Sequence, residues 1–155
     1  MTEFVKNLEE EEQAILIRFL QNLVDPKSPV TVDNFMGTIG TASKKLHGKI
    51  KNVICQLQWK ILMFEPEAKY FLHQVFHEGI GLLRTAKKSK NTLDNKRFIG
   101  IFLDVTNKLT EQFFQLSAKN QEAIKSAFPG LFKLTQELKE IHSRLKPWEG
   151  NSMFR

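Results

Sequence analysis

One stretch of the chain, residues 48–64, constrains the fold more than any other. Its apolar side chains recur at helical spacing and so share one face of a helix: Ile50, Val53, Ile54, Leu57, Ile61 and Phe64. Trp59, Leu62 and Met63 widen the apolar surface toward the end of the stretch. A helix that is apolar around most of its circumference is usually surrounded by other helices. We therefore predict that 48–64 is an enclosed central helix, with its lysine-bearing edge turned to water.

The same 3.6-residue period predicts helices before and after this stretch. Their approximate bounds are 7–24, 31–64, 67–88, 92 or 95 to 116, 117–128 and 131–146. Asn91 or Asp94 is predicted to cap the helix that ends near 116, and Ser117 is predicted to cap the one that follows. Asn7 is predicted to open the first helix, and the segment 31–64 is one long helix or two with a break near Gly37, Gly40 or Gly48. Gly79 and Gly81 are interpreted as places where another backbone comes close. The predicted fold is all-α, a single-domain bundle of five to six antiparallel helices over 1–146 with a short C-terminal tail, 147–155.

The cysteine count and the hydropathy pattern limit the class of protein. Cys55 is the only cysteine of the 155 residues, so a small secreted scaffold held by internal disulfides is excluded. The acidic N-terminal residues lack the order of a signal peptide, and no run approaches the ~20 apolar residues of a membrane span. We expect an intracellular, cytoplasmic protein without a membrane span.

The charge is unevenly distributed along the chain. The net charge is +6, but residues 1–37 are acidic and residues 38–100 carry most of the basic side chains. Such a set can neutralise a phosphate backbone without reading bases. The candidate nucleic-acid-binding residues are Lys44, Lys45, Lys49, Lys51, Lys60, Arg84, Lys87, Lys88, Lys90, Lys96 and Arg97. No aromatic side chain is interleaved in 84–97 for base stacking. Sequence-independent RNA or DNA backbone binding within a larger nucleoprotein complex is therefore the alternative function.

The sequence contains no arrangement that indicates catalysis or a metal. His73 and His77 lie four residues apart on one predicted helix, but zinc needs a third or fourth ligand at a suitable spacing. No Gly-x-Ser-x-Gly motif and no phosphate-binding glycine loop are present. We predict no metal site, no cofactor and no enzymatic activity.

His47 and His77 lie thirty residues apart in an all-helical chain of globin length, and in this they resemble the histidine pair of the globins. The resemblance implies a haem sensor, but it stops at these positions, because the phenylalanine and proline expected before the first histidine are absent. A small-molecule sensor with a pocket between helices rich in phenylalanine belongs to the same class, which is the least favoured one.

The leading function predicted from the sequence is a non-enzymatic interaction or regulatory subunit that binds a protein partner. A well-patterned helical core without a catalytic constellation is typical of such a subunit. Trp148 and Phe154, both in the tail, are the candidate partner-binding residues. The sequence leaves the oligomeric state open.

Overall fold

The fold is described by a computed structural model, which covers residues 3–89 and 92–149, without the side chains of 92, 93, 138, 142 and 145–149. These ranges contain eight helices and no strand, which confirms the all-α class but exceeds the predicted five to six helices. The helices are α1 (Glu3–Lys6), α2 (Glu10–Val24), α3 (Phe35–Ala42), α4 (Lys44–Leu62), α5 (Pro66–Lys88), α6 (Thr92–Gln115), α7 (Ala118–Ala127) and α8 (Pro129–Glu149). Among the described helices, none has both the length and the hydropathy that crossing a bilayer requires.

The additional helices arise from α1 and from a break in the segment 31–64. The break lies at Ser43, whose extended backbone (φ −156°, ψ 106°) ends α3. Its hydroxyl oxygen accepts a hydrogen bond from the Leu46 N–H at 3.1 Å, so the same serine caps the start of α4. Of the two alternatives for 31–64, the structure therefore has the one with a break, which lies three residues after Gly40 and not at a glycine. The side chain of Ser43, which caps α4, decides where the break lies. None of the described glycines has the positive φ at which a glycine would be required.

The start of α2 also differs from the prediction. Glu9, not Asn7, is the N-cap, and its N–H donates to the Glu12 carboxylate at 2.9 Å. This is one half of a capping box, two residues later than the one predicted from Asn7. The cap predicted at Ser117 is confirmed, since its hydroxyl accepts from the Asn120 N–H at the start of α7.

The described chain divides into two compact units, one within 1–59 and 79–95 and the other within 60–78 and 96–155. The division falls inside α4, α5 and α6. The predicted single domain over 1–146 and the tail from 147 stay predictions.

The core of the first unit is formed by one face of α2 with α3 and the beginning of α4. Leu16, Phe19 and Leu23 of α2 are buried in the same cluster as Ile39 and Leu46. Ile39 and Leu46 are fully inaccessible to solvent.

The core of the second unit is rich in phenylalanine. Phe113 lies 5.8 Å from Phe71 and 6.0 Å from Phe132 between ring centroids, and Ile124 of α7 is fully buried. Glu67, near the start of α5, connects this core to α7, because its carboxylate accepts hydrogen bonds from the Asn120 amide and from Ser117. The bond from Asn120 lowers the pKa of Glu67 below its usual value.

The enclosed central helix predicted from 48–64 is wrong. Within α4 only Leu46 and Ile61, one near each end, are buried. Between them Val53 and Ile54 remain 37% and 39% exposed. A helical period identifies a face that can leave water, but it does not ensure that other helices of the chain cover it. The polar edge that includes Lys45 and Lys60 is exposed, as predicted.

Candidate functional site

Helix α2 has two apolar stripes, and only one of them is buried. Leu16, Phe19 and Leu23 face the core, whereas a second stripe, rotated by about 100° around the helix, is open. The open side chains are Ile17 (50% exposed), Leu20 (49%) and Val24 (44%). A surface helix normally presents a polar face opposite its single buried stripe. The second stripe therefore indicates a surface that something apolar covers.

The start of α2 is held to α4 by two ion pairs. Lys49 Nζ donates to Glu12 Oε2 at 2.6 Å, and Lys45 Nζ donates to the Glu9 carboxylate. Glu12 is only 4% exposed, and the Lys49 hydrogen bond lowers the pKa of its carboxyl group. The half-open Val53 lies one helical turn beyond Lys49 on the same face of α4.

The end of α2 is held to the last turns of α5. Lys87 Nζ donates to the main-chain oxygens of Asn22 at 3.2 Å and of Asp25 at 2.9 Å. These carbonyls belong to the C-terminal end of α2, where the helix dipole favours a cation. Ile80 and Leu83 lie on the face of α5 that carries Lys87, and they are 38% and 36% exposed.

Helix α2 is thus tied to α4 at Glu12 and to α5 at Asn22, and the ties are about 15 Å apart along its axis. The ~30 Å hydrocarbon core of a bilayer contains two acyl chains end to end, so one such chain spans about 15 Å. We call the half-open apolar side chains of α2, of the middle of α4 and of the second half of α5 in the first unit the open apolar frame: Ile17, Leu20, Val24, Val53, Ile54, Ile80 and Leu83. An extended apolar molecule of this length fits the distance between the ties.

A partial signal for the open apolar frame is present in the sequence. The helical period within 7–24 predicts that Leu20 is buried with Leu16 and Leu23, whereas Ile17 and Val24 lie outside that stripe. Ile and Leu occupy positions 15–17 consecutively. That run makes the apolar arc of α2 wider than one buried stripe needs, and this was the available signal.

Several grooves of similar volume lie in the described part of the second unit. One, of about 430 Å³, lies between α6 and α8, where Lys139 Nζ is 4.5 Å from the centre of the Phe114 ring. Another, of about 410 Å³, lies between α5 and α6 and includes Gln112, whose amide oxygen is buried without a partner. The carbon atoms of their side chains form most of the surface of both grooves, but most of the lining residues are polar or charged. The side chains of the open apolar frame are all hydrophobic, which favours the frame as the site for an apolar ligand.

The structure pairs several of the predicted nucleic-acid-binding residues with the protein itself. Lys45, Lys49 and Arg84 form ion pairs with Glu9, Glu12 and Asp33. Lys60 and Lys87 donate to main-chain oxygens instead. The side chains of the remaining described members of the set form no hydrogen bond or ion pair within the described residues: Lys44, Lys51, Lys88, Lys96 and Arg97. Lys90, Phe154 and the side chain of Trp148 lie outside the described residues.

The histidines considered for a metal or for haem are dispersed. His73 and His77 are exposed on α5, and the neighbouring Glu78 accepts a hydrogen bond from Lys108 at 3.0 Å. His47 lies on α4, where its ring is close to Gly40 of α3. In the part of the chain that the structure describes, no group of three or more His, Cys, Asp or Glu could hold a metal ion.

Comparison with known proteins gives one family and no individual relative. Neither a curated protein nor a solved structure matches the chain. A family model described as "Nematode fatty acid retinoid binding protein (Gp-FAR-1)" matches residues 1–145.

This match corrects the functions predicted from the sequence. The regulatory subunit for a protein partner, the RNA- or DNA-backbone subunit and the small-molecule or haem sensor are all wrong, because the family consists of carriers of lipid ligands. The prediction that the chain is not an enzyme is confirmed, since the proteins of this family are non-enzymatic. With 1–145 of its 155 residues matched, the chain belongs to the family of nematode fatty acid retinoid binding proteins.

Proposed function

We propose that the chain carries a fatty acid or a retinoid whose apolar part lies along the open apolar frame. The family description supports this class of ligand. The observation that carries the proposed location is the second apolar stripe of α2, which stays about half exposed although both ends of the helix are tied to neighbours. A ligand that covers this stripe buries the part of its apolar surface that the fold leaves exposed to solvent.

Burial of the frame supplies a favourable contribution to binding. Full burial of a large aliphatic side chain contributes about 1.5–3 kcal/mol, and each frame residue still exposes between a third and a half of its surface. Covering all of them therefore contributes roughly 5 kcal/mol, and burial of the ligand's own hydrocarbon surface adds to this. The loss of translational and rotational freedom on association costs about 4–15 kcal/mol and is subtracted from this sum, so the buried area alone does not set the Kd.

A cation lies at one end of the frame, where the carboxylate of a fatty acid would need one. Lys87 is half buried, and within the described residues its hydrogen bonds reach only main-chain carbonyl oxygens. Its positive charge is therefore not neutralised by a carboxylate in direct contact. We infer that Lys87 holds the carboxylate of a fatty acid or of retinoic acid through a charge-assisted hydrogen bond.

The test compares ligands that share an apolar chain but differ in charge. Oleate and oleyl alcohol, or retinoic acid and retinol, are titrated against the wild type and Lys87→Met by displacement of a fluorescent fatty acid. A hydrogen bond to a charged group contributes about 1.5–3 kcal/mol, so the variant should bind the acids at least about tenfold more weakly and the alcohols unchanged. Lys88→Met is the matched control, because Lys88 is exposed and has no partner among the described residues.

A second variant tests the frame itself. Replacing both Ile17 and Leu20 by serine should weaken acids and alcohols alike, because the apolar contact is lost in both cases. Serine at the exposed Ile141 of α8 is the control for loss of surface hydrophobicity. Unchanged affinity of the Ile17/Leu20 variant for every ligand would contradict the proposed location. If Lys87→Met lost equal affinity for the acids and for the alcohols, the role of Lys87 would be contradicted.

We also propose a cytoplasmic location, which rests on the sequence alone. Proteins of this family are typically secreted. An antibody against the chain, applied to cell extract and to culture medium from the source tissue, separates the two locations. Recovery mainly from the medium would contradict the cytoplasmic one.

A further inference from the structure

The end of α4 and the first residue of the turn after it carry an apolar cluster that is separate from the open apolar frame. Trp59 and Leu62 of α4 and Met63 of the turn have the i, i+3, i+4 spacing of one helix face, and they are 71%, 57% and 84% exposed. This face is turned away from the stripe of α4 that contains Leu46 and Ile61. We call these three side chains the apolar tip. Such a degree of exposure for three large side chains in one turn indicates a surface with a partner.

Basic side chains lie directly beside the apolar tip. Lys60, Met63 and Lys119 line one groove of about 430 Å³ together with Phe64 and Glu65. Lys119 pairs with Glu65, and Lys60 donates to the main-chain oxygen of Ala127 at 3.0 Å, so Lys60 has no carboxylate partner within the described residues. The local charge is therefore net positive at the edge of an apolar projection.

We propose that the apolar tip docks the protein onto the surface of a bilayer that contains anionic lipid. Tryptophan prefers the headgroup level of a membrane, and the leucine and methionine can enter the adjacent hydrocarbon. Lys60 then meets the negative headgroups, while Lys119 stays paired with Glu65. This is the charge complementarity that selects an anionic lipid surface as the partner.

Docking has a consequence for the cargo, and this part rests on the proposed function. A carrier that touches the bilayer can pass its ligand during the contact, so the transfer rate rises with the concentration of vesicles. A carrier that releases its ligand into water first transfers it at a rate independent of vesicle concentration.

The experiment measures vesicle binding by the ligand-free full chain, which keeps it independent of the proposed function. Phosphatidylcholine vesicles with and without phosphatidylserine are sedimented with the wild type and with Trp59→Ser/Leu62→Ser/Met63→Ser. We expect the wild type to bind the anionic vesicles and the variant to bind at least about tenfold more weakly, since interfacial binding scales with the apolar area buried. Ile99→Ser/Ile141→Ser, which removes comparably exposed apolar side chains elsewhere, should bind like the wild type.

Further measurements distinguish the outcomes. Affinity for a fatty acid without vesicles, and the circular dichroism spectrum, should be the same in the tip variant and the wild type, which shows that the variant is folded. Equal vesicle binding by the tip variant and the wild type would overturn the proposal. It would also be overturned if sedimentation velocity gave a wild-type dimer that the tip variant lacks, because the tip would then join two copies of the chain.

Discussion

At the scale of single residues, Glu12 occupies the environment least suited to a carboxylate. It is 4% exposed, and one oxygen accepts hydrogen bonds from Lys49 Nζ at 2.6 Å and from the Glu9 N–H at 2.9 Å. Its other oxygen is buried without a partner. The Lys49 hydrogen bond, followed by that of Glu9, lowers the pKa of Glu12 from its usual 4.5. The tie between α2 and α4 therefore depends on the ionised form of this group.

This dependence predicts how stability changes with pH. A carboxyl group with a lowered pKa in the folded state contributes stability above its unfolded pKa, here 4.5, and loses that contribution as the pH falls through the lower folded value. Glu12→Gln should therefore lower the urea midpoint at neutral pH, and its difference from the wild type should shrink below about pH 4. Urea denaturation followed by circular dichroism at several pH values measures this.

Glu10→Gln is the matched control for that series, because Glu10 lies in the same first turn of α2 but is exposed and has no ion pair among the described residues. It should leave the midpoint unchanged throughout. A difference between Glu12→Gln and the wild type that stays constant down to about pH 3 would contradict the role given to ionised Glu12.

At the scale of helices, the sequence predicts correctly where helices form, but it does not predict which of their faces are covered by other helices. The period over 48–64 correctly indicates a helix, and Ser117 correctly indicates a cap, because both signals are local. The sequence does not identify the break at Ser43, because three nearby glycines indicate a break as strongly as a capping serine does. Enclosure of α4 was wrong for a different reason: a face that lines a binding site and a face that packs in a core have the same periodicity.

Glycines inside α5 give a prediction at this scale. Apart from the chain neighbours and the nearby backbone of α5 itself, no described atom lies within 4 Å of a Cβ built on Gly79 or Gly81, so the close approach of another backbone inferred from the sequence is absent there. Alanine at either position should raise the free energy of unfolding by about 0.5–1 kcal/mol, because glycine loses more backbone entropy in a helix. Thermal and urea unfolding measure the change.

The surroundings of Gly40 differ from those of Gly79 and Gly81. A Cβ at this position would lie 3.4 Å from His47 Cδ2, which is an ordinary van der Waals contact. Gly40→Ala should therefore stabilise the protein at least as much as Gly79→Ala, because this contact adds to the gain from helix propensity. If Gly79→Ala destabilised the protein, this would contradict the conclusion that α5 has space for a methyl group at that position.

At the scale of the whole molecule, the charge asymmetry explains why the function was misread. The acidic residues 1–37 and the basic residues 38–100 suggested an anionic partner. In the first unit these segments pair with each other through Glu9–Lys45, Glu12–Lys49 and Asp33–Arg84. Recognition of a hydrocarbon chain is non-directional and leaves no motif of fixed spacing. The family match, and not any local pattern, therefore had to identify the class of ligand.

The last prediction concerns where ligand binding stabilises the molecule. A ligand at 100 times its Kd stabilises the native state by about 2.7 kcal/mol, and local opening that breaks the site is suppressed most. Saturating oleate should therefore slow amide hydrogen exchange in α2 and in residues 79–88 of α5, and should leave α7 nearly unchanged, because α7 contributes nothing to the open apolar frame. Hydrogen-exchange mass spectrometry measures this, with the Ile17/Leu20 serine variant as the control that should show little protection at the same oleate concentration. Protection confined to α6 and α8 would contradict the frame and move the site to the groove beside Phe114 and Lys139.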